Sequence, residues 1–184
     1  MNTPRILSAL FLAFLVAAHG AVSPIRVEVE QTSKTEQKGG GGKGGARVDP
    51  QGAKTQHRQL QIKVTNNSND SFSDVTVKYW FFARDMKGHG VEVFKQGERK
   101  VSLGPRAKES VESEAVTTTY EEAHNKVDNR SGGGSRGGSA KVTKVPASGD
   151  KVTGYAVKVY HGGNVVAEYY SEDGIKQKLS GESK

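Results

Sequence analysis

The stretch "VTVKYWFFARDMKGHG", residues 75–90, decides the fold. Its first half alternates: Val75, Val77, Tyr79 and Phe81 fall on one side, and Thr76, Lys78, Trp80 and Phe82 on the other. A period of two is the signature of a β-strand with one face buried, because successive side chains point to opposite faces. The strand ends where Asp85-Met86-Lys87-Gly88-His89-Gly90 supplies turn chemistry. Tyr79 and Phe81 are then core residues of a central strand. Trp80 and Phe82 lie on the opposite face beside Lys78, and two readings of that face stand side by side. Either a neighbouring loop or the C-terminal tail covers it, or Lys78, Trp80 and Phe82 form an exposed patch for a partner, since large exposed apolar patches mark interaction sites.

The same period recurs along the chain. It is found at Ile25, Val27 and Val29, at Leu60, Ile62 and Val64, at Tyr155, Val157 and Val159, and at Val165, Ala167 and Tyr169. A weaker form places Val111, Ser113, Ala115 and Thr117 on one side. The segments between are turn-forming: "NNSNDS" at 66–71, "LGPRAK" at 103–108 and "HGGN" at 161–164. Gly162-Gly163 between two alternating runs predicts a tight hairpin. The strands expected are A (25–35), B (57–66), C (74–84), C′ (91–102, as one strand or two pieces), E (109–120), F (152–160) and G (164–171). No helical stripe is expected. About seven short antiparallel strands predict an all-β, immunoglobulin-like sandwich.

The segment 63–111 also resembles the FxLYD-like and related bacterial immunoglobulin-like sandwich domains. The likeness lies in "KVTNNSNDSFSDVTVKYWFFARDMKG" followed by "VSLGPRAKESVE": an Asn/Ser turn, an "xDVxV" strand closed by Asp and Gly, and an "L-x-P" turn before the next strand. Tyr79 to Asp85 stands where that family has aromatic-x-Leu-Tyr-Asp, a departure that limits the likeness to fold. It implies a non-catalytic module of an exported protein.

Residues 1–20 have the pattern of a secretory signal peptide: Arg5, an apolar run from Ile6 to Ala18, then Ala18-His19-Gly20. Cleavage before Ala21 leaves a single expected domain at 21–176 and a disordered tail at 177–184, with no transmembrane segment in what remains. The chain has no cysteine, so the fold must stand on its core alone. Together these predict a bacterial periplasmic or extracellular protein.

Two Gly-rich stretches, "GGGGKGG" at 39–45 and "GGGSRGG" at 132–138, lie within expected flexible insertions at about 36–56 and 125–149. The basic excess lies there: residues 38–56 carry net +3 and residues 125–149 net +4, while the rest of the chain after residue 20 is −1. In the expected strand order, both insertions and the turn at 85–90 emerge at one end of the sandwich. Lys38, Lys43, Arg47, Arg130, Arg136, Lys141 and Lys144 are therefore the candidate polyanion-binding residues, set against the plainer reading of solubilising loops. Neither insertion interleaves aromatic residues with its charges, so specific nucleic-acid recognition is not expected.

Catalytic groupings are not evident. There is no cysteine, no plausible Ser-His-Asp grouping, no His-Glu-x-x-His and no Gly-Lys-Ser/Thr phosphate loop. Glu121-x-x-His124 has the spacing of half a carboxylate-bridged metal motif, without the second half or the helices that carry it. No cofactor, metal or enzymatic activity is expected. The leading expectation is an exported, non-catalytic module for protein–protein or cell-envelope structural interaction. The alternative is a polyanion- or carbohydrate-binding module using the basic end.

Overall fold

A computed structural model describes residues 23–37, 52–88, 90–128 and 141–181. The chain forms an antiparallel β-sandwich. One layer holds β1 (Ile25–Gln37), β2 (Lys54–Asn66), β5 (Lys108–Glu112) and β6 (Val116–Glu121). The other runs β10 (Asn164–Tyr170), β9 (Ser148–His161), β3 (Phe72–Asp85) and β4 (Val91–Leu103). This is the A-B-E and G-F-C-C′ arrangement of immunoglobulin-like domains, and the seven expected strands are all present. The layers join at one corner, where Tyr120 and Glu121 of β6 pair with Gly149 and Ser148 of β9. Gly149 has φ +79, and a Cβ there would collide with the carbonyl of Thr119, so glycine is required at that corner.

The core follows the alternation. Leu60, Ile62 and Val64 of β2, Val75, Val77, Tyr79 and Phe81 of β3, and Val157 and Val159 of β9 are all fully buried between the layers. Gly162 and Gly163, at φ +57 and +82, make the predicted β9–β10 hairpin turn.

Three features depart from the sequence expectation. Strand E is broken: β5 ends at Glu112 and β6 starts at Val116. Ser113 is buried, with its Oγ accepting the Leu60 amide at 2.9 Å, and the Glu114 amide donates to the Tyr79 hydroxyl at 3.0 Å. The break shifts the frame, so Val116, Thr118 and Tyr120 face the core in place of the expected Ala115 and Thr117. The second departure is an added hairpin, β7 (His124–Asp128) with β8 (Lys141–Val145), inside the segment expected to be an insertion.

The third is α1 (Asp173–Gly181), which occupies part of the expected C-terminal tail. Asp173 lies in its first turn and Lys178 in its last, the arrangement that complements the helix dipole. Ile175 and Leu179, one turn apart, are buried against the outer face of the second layer with Phe82 and Ala156. Gly154 makes this docking possible, because a Cβ there would collide with Ile175 Cδ1.

Candidate functional site

The outer face of the β10–β9–β3–β4 layer is built in rows by strand register. Thr76 sits between Tyr160 and Lys100, Lys78 between Lys158 and Glu98, Trp80 between Ala156 and Gln96, and Phe82 between Gly154 and Val93. The row of Phe82 lies under α1. Phe82 is 1% exposed, so of the expected patch Lys78, Trp80 and Phe82 the last is no surface residue. Its direction agrees with the alternation; its burial comes from a helix that the strand pattern could not announce.

Trp80 marks the boundary. It is half-buried, packing on one side against the cluster under α1. On the other side it lines a shallow groove of about 340 Å³ with Lys78, Gln96, Gly97 and Glu98. Its indole N–H donates to Gln96 Oε1 at 2.9 Å, which fixes the ring on the sheet. Gly97 cannot be larger, because a Cβ there would collide with the Tyr79 hydroxyl. A second groove of about 330 Å³ shares Lys78 and Glu98 and continues to Asp74, Thr76, Tyr160, Gly162 and Gly163. The Lys78 ammonium lies 3.7 Å from Glu98 Oε2 and 5.5 Å from the centre of the Tyr160 ring.

At the α1 side, Glu168 Oε1 lies 2.8 Å from Lys176 Nζ, and Oε2 accepts from the Tyr170 hydroxyl at 2.9 Å. The Lys176 hydrogen bond holds the Glu168 carboxyl below its ordinary value. Burial, with the Glu168 bond added, pushes the Tyr170 hydroxyl up.

The end of the sandwich where the insertions depart has its own cluster. Gln37 of β1 pairs with Lys54 of β2, Lys54 with Tyr120 of β6, and Tyr120 with Gly149 of β9, whose carbonyl accepts the Met86 amide at 2.9 Å. The roots of both insertions and the β3–β4 turn therefore meet at one end. Glu122 Oε2 lies 3.5 Å from Lys54 and its Oε1 3.4 Å from Lys151, and both ammonium groups sit over the Tyr120 ring. Those two charges, Lys54 first, hold the Glu122 carboxyl below its ordinary value. Of the candidate polyanion residues, Lys144 is exposed on β8 and Lys141 starts that strand. Lys38, Lys43, Arg47, Arg130 and Arg136 lie outside the described residues.

Glu121 and His124 do approach: Nδ1 of the buried His124 is 3.8 Å from Glu121 Oε1 and 3.1 Å from the Glu122 carbonyl. Among the described residues no three His, Cys, Asp or Glu side chains are grouped to hold a metal ion. No helix among them is long and apolar enough to cross a membrane.

Gln96, Glu98 and Tyr160 were not singled out by sequence. Each stands in an alternating strand, but its neighbourhood to Trp80 depends on register across three strands, which a single sequence does not display.

No protein-family model matches the chain, and no curated protein matches it. Among the solved structures similar to it are these two. Northeast Structural Genomics Consortium target SoR45 is 14% identical with a TM-score of 0.33, over 72% of this chain and 89% of its own. A protein from Akkermansia muciniphila is 17% identical with a TM-score of 0.29, over 85% of this chain and 75% of its own.

Proposed function

We propose that this chain is an exported, non-catalytic immunoglobulin-like module that works by binding a partner protein or another component of a bacterial cell envelope. One observation carries the reading. The outer face of the second layer is roofed by α1 over Phe82 and left open from Trp80 to Tyr160, so a large aromatic ring stands at the edge of an accessible groove. Partly covered aromatic rings flanked by polar side chains are favoured anchors of binding surfaces. The signal-like pattern of residues 1–20, the absence of cysteine and the likeness of 63–111 to FxLYD-like domains support a periplasmic or extracellular setting. The test is capture of components from a native envelope fraction by the immobilised protein. Trp80→Ala should lose what the wild type captures, and Phe94→Ser, on exposed β4, should keep it. Equal capture by the wild type and Trp80→Ala would remove this face from consideration.

A second reading has its own observation. The roots of the two basic segments meet at one end with Lys54 and Lys151. That convergence favours a polyanion surface at this end. Binding there is electrostatic and steeply salt-dependent. Retention on a sulfated polymer across a salt gradient tests it. A variant with Lys38, Lys43, Arg47, Arg130, Arg136, Lys141 and Lys144 changed to Ser should elute much earlier than wild type; co-elution would end this reading.

A further inference from the structure

We propose that the open groove on the outer face of the β10–β9–β3–β4 layer is a binding site for an uncharged oligosaccharide lying along β3 from Trp80 to Tyr160. The inference rests on the reading of the chain as a binding module and names the ligand class of that face.

Two rings bound the groove. Trp80 is level with Ala156 and Tyr160 with Thr76, so the rings are one strand apart and four residues apart along β3. That separation is about 13 Å along the strand direction at the usual rise, a length that a short oligosaccharide spans. Aromatic faces bind the C–H faces of sugar rings by dispersion and by their negative quadrupole, and at Tyr160 a sugar would take the place of the Lys78 ammonium, which lies 5.5 Å from the ring centre.

The groove carries the groups a hydroxylated ligand needs. Lys78 offers an ammonium and Glu98 a carboxylate between the rings, Thr76 a hydroxyl level with Tyr160, and Asp74 a second carboxylate just beyond it. Gln96 spends its carbonyl on the indole N–H, which leaves its amide N–H groups directed to other partners. Sugar hydroxyls both donate and accept, so they pair with this mixture, where an apolar ligand would leave it unsatisfied. The Lys78–Glu98 pair is loose, at 3.7 Å with side chains 43% and 59% exposed, so it reopens readily to a ligand hydroxyl.

Charge selects the ligand class. Lys78, Lys100 and Lys158 stand against Glu98, Asp74 and Glu168 on this face, and Lys176 of α1 pairs with Glu168, so opposite charges nearly cancel and no strong single-sign field exists to hold a polyanion or a polycation. The apolar residue Phe82 of this face is covered by α1, so the open part offers a ligand polar groups around the Trp80 and Tyr160 rings.

The chain contains a single tryptophan, so its emission reports this groove directly. The full-length protein is titrated with cellohexaose, xylohexaose, chitohexaose and a soluble β-1,3-glucan, with heparin as the charged probe, at low and at high salt. The expected result is a saturable shift in emission with at least one neutral sugar and an affinity independent of salt. Calorimetry with that sugar should show roughly tenfold or greater loss for Trp80→Ala and for the surface variant Gln96→Ala, while Phe94→Ser binds as wild type does. Silence toward every neutral sugar at millimolar concentration, binding to heparin alone, or unchanged affinity in both Trp80→Ala and Gln96→Ala overturns the proposal. If the sugars are silent while envelope capture still depends on Trp80, the saccharide assignment falls and the binding-module reading stands.

Discussion

Asn66 illustrates how much one side chain can hold. It is 1% exposed at the end of β2, and its Nδ2 donates to the Asp70 and Gly104 carbonyls, both at 2.7 Å. Its Oδ1 accepts from the Ser68 amide and hydroxyl, each at 2.8 Å. The β2–β3 turn and the β4–β5 turn are thus tied through one amide. Asn66→Leu removes both partners of those turns at once, and each buried polar group left unpaired costs about 1–3 kcal/mol. Urea denaturation should show a loss of that size for Asn66→Leu, and a loss below about 0.5 kcal/mol would mean that water replaces the amide. Phe81 and Phe82 make a second contrast. Phe81 is fully buried between the layers and Phe82 is buried under α1, so each change to Ala should cost about 3–5 kcal/mol. The two losses differ in partner. A double-mutant cycle should couple Phe82 to Ile175 by about 0.5–3 kcal/mol and leave Phe81 and Ile175 nearly additive.

At the scale of elements, α1 is held by a small set of contacts, and they can be attacked separately. Gly154→Val places branched carbons where Ile175 and Ser171 now sit, so the helix must lift. Proteolysis of the C-terminal segment should become much faster, and Trp80 emission should shift red as the cluster beside it opens; an unchanged cleavage rate would show that the sheet accommodates the side chain. Acid should act through Glu168. Its carboxyl is held below its ordinary value by Lys176, so its contribution is present above the unfolded carboxylate value of about 4.3 and is lost as pH falls through the depressed folded value. Between neutral pH and pH ~3, Glu168→Gln should therefore flatten part of the wild type's fall in thermal stability. Parallel pH curves for the two proteins would contradict this role. The strands were legible because Leu60, Ile62 and Val64, or Val75, Val77 and Tyr79, repeat with period two over hydrophobic residues that have no other place to go. The helix was not: Ile175 and Leu179 are its only buried apolar residues, two in nine, and its stability comes from Gly154 and Phe82, far away in sequence. The frame shift at Ser113 was hidden for a similar reason, since the Tyr79 hydroxyl that supports it comes from another strand.

At the scale of the molecule, the two layers and α1 leave one face partly open, and the strand ends at the roots of both basic segments meet at one end. Replacing 39–45 and 132–138 by short turns should leave the sandwich intact, because halving a loop's length changes closure entropy by only ~0.6 kcal/mol. A fall of many degrees in the unfolding temperature would show that these segments pack on the sandwich. The open face around Trp80 is the central claim, and one measurement addresses it most directly. With a single tryptophan in the chain, 5-fluorotryptophan labelling gives one fluorine resonance that belongs to Trp80 alone. Added to a native envelope fraction, the labelled protein should show that resonance shift or broaden, while a fluorophenylalanine reporter at Phe81 in the core stays where it is. A Trp80 resonance unchanged at saturating amounts of envelope, in a protein that is nevertheless retained by it, would contradict the account and move the working surface to another face.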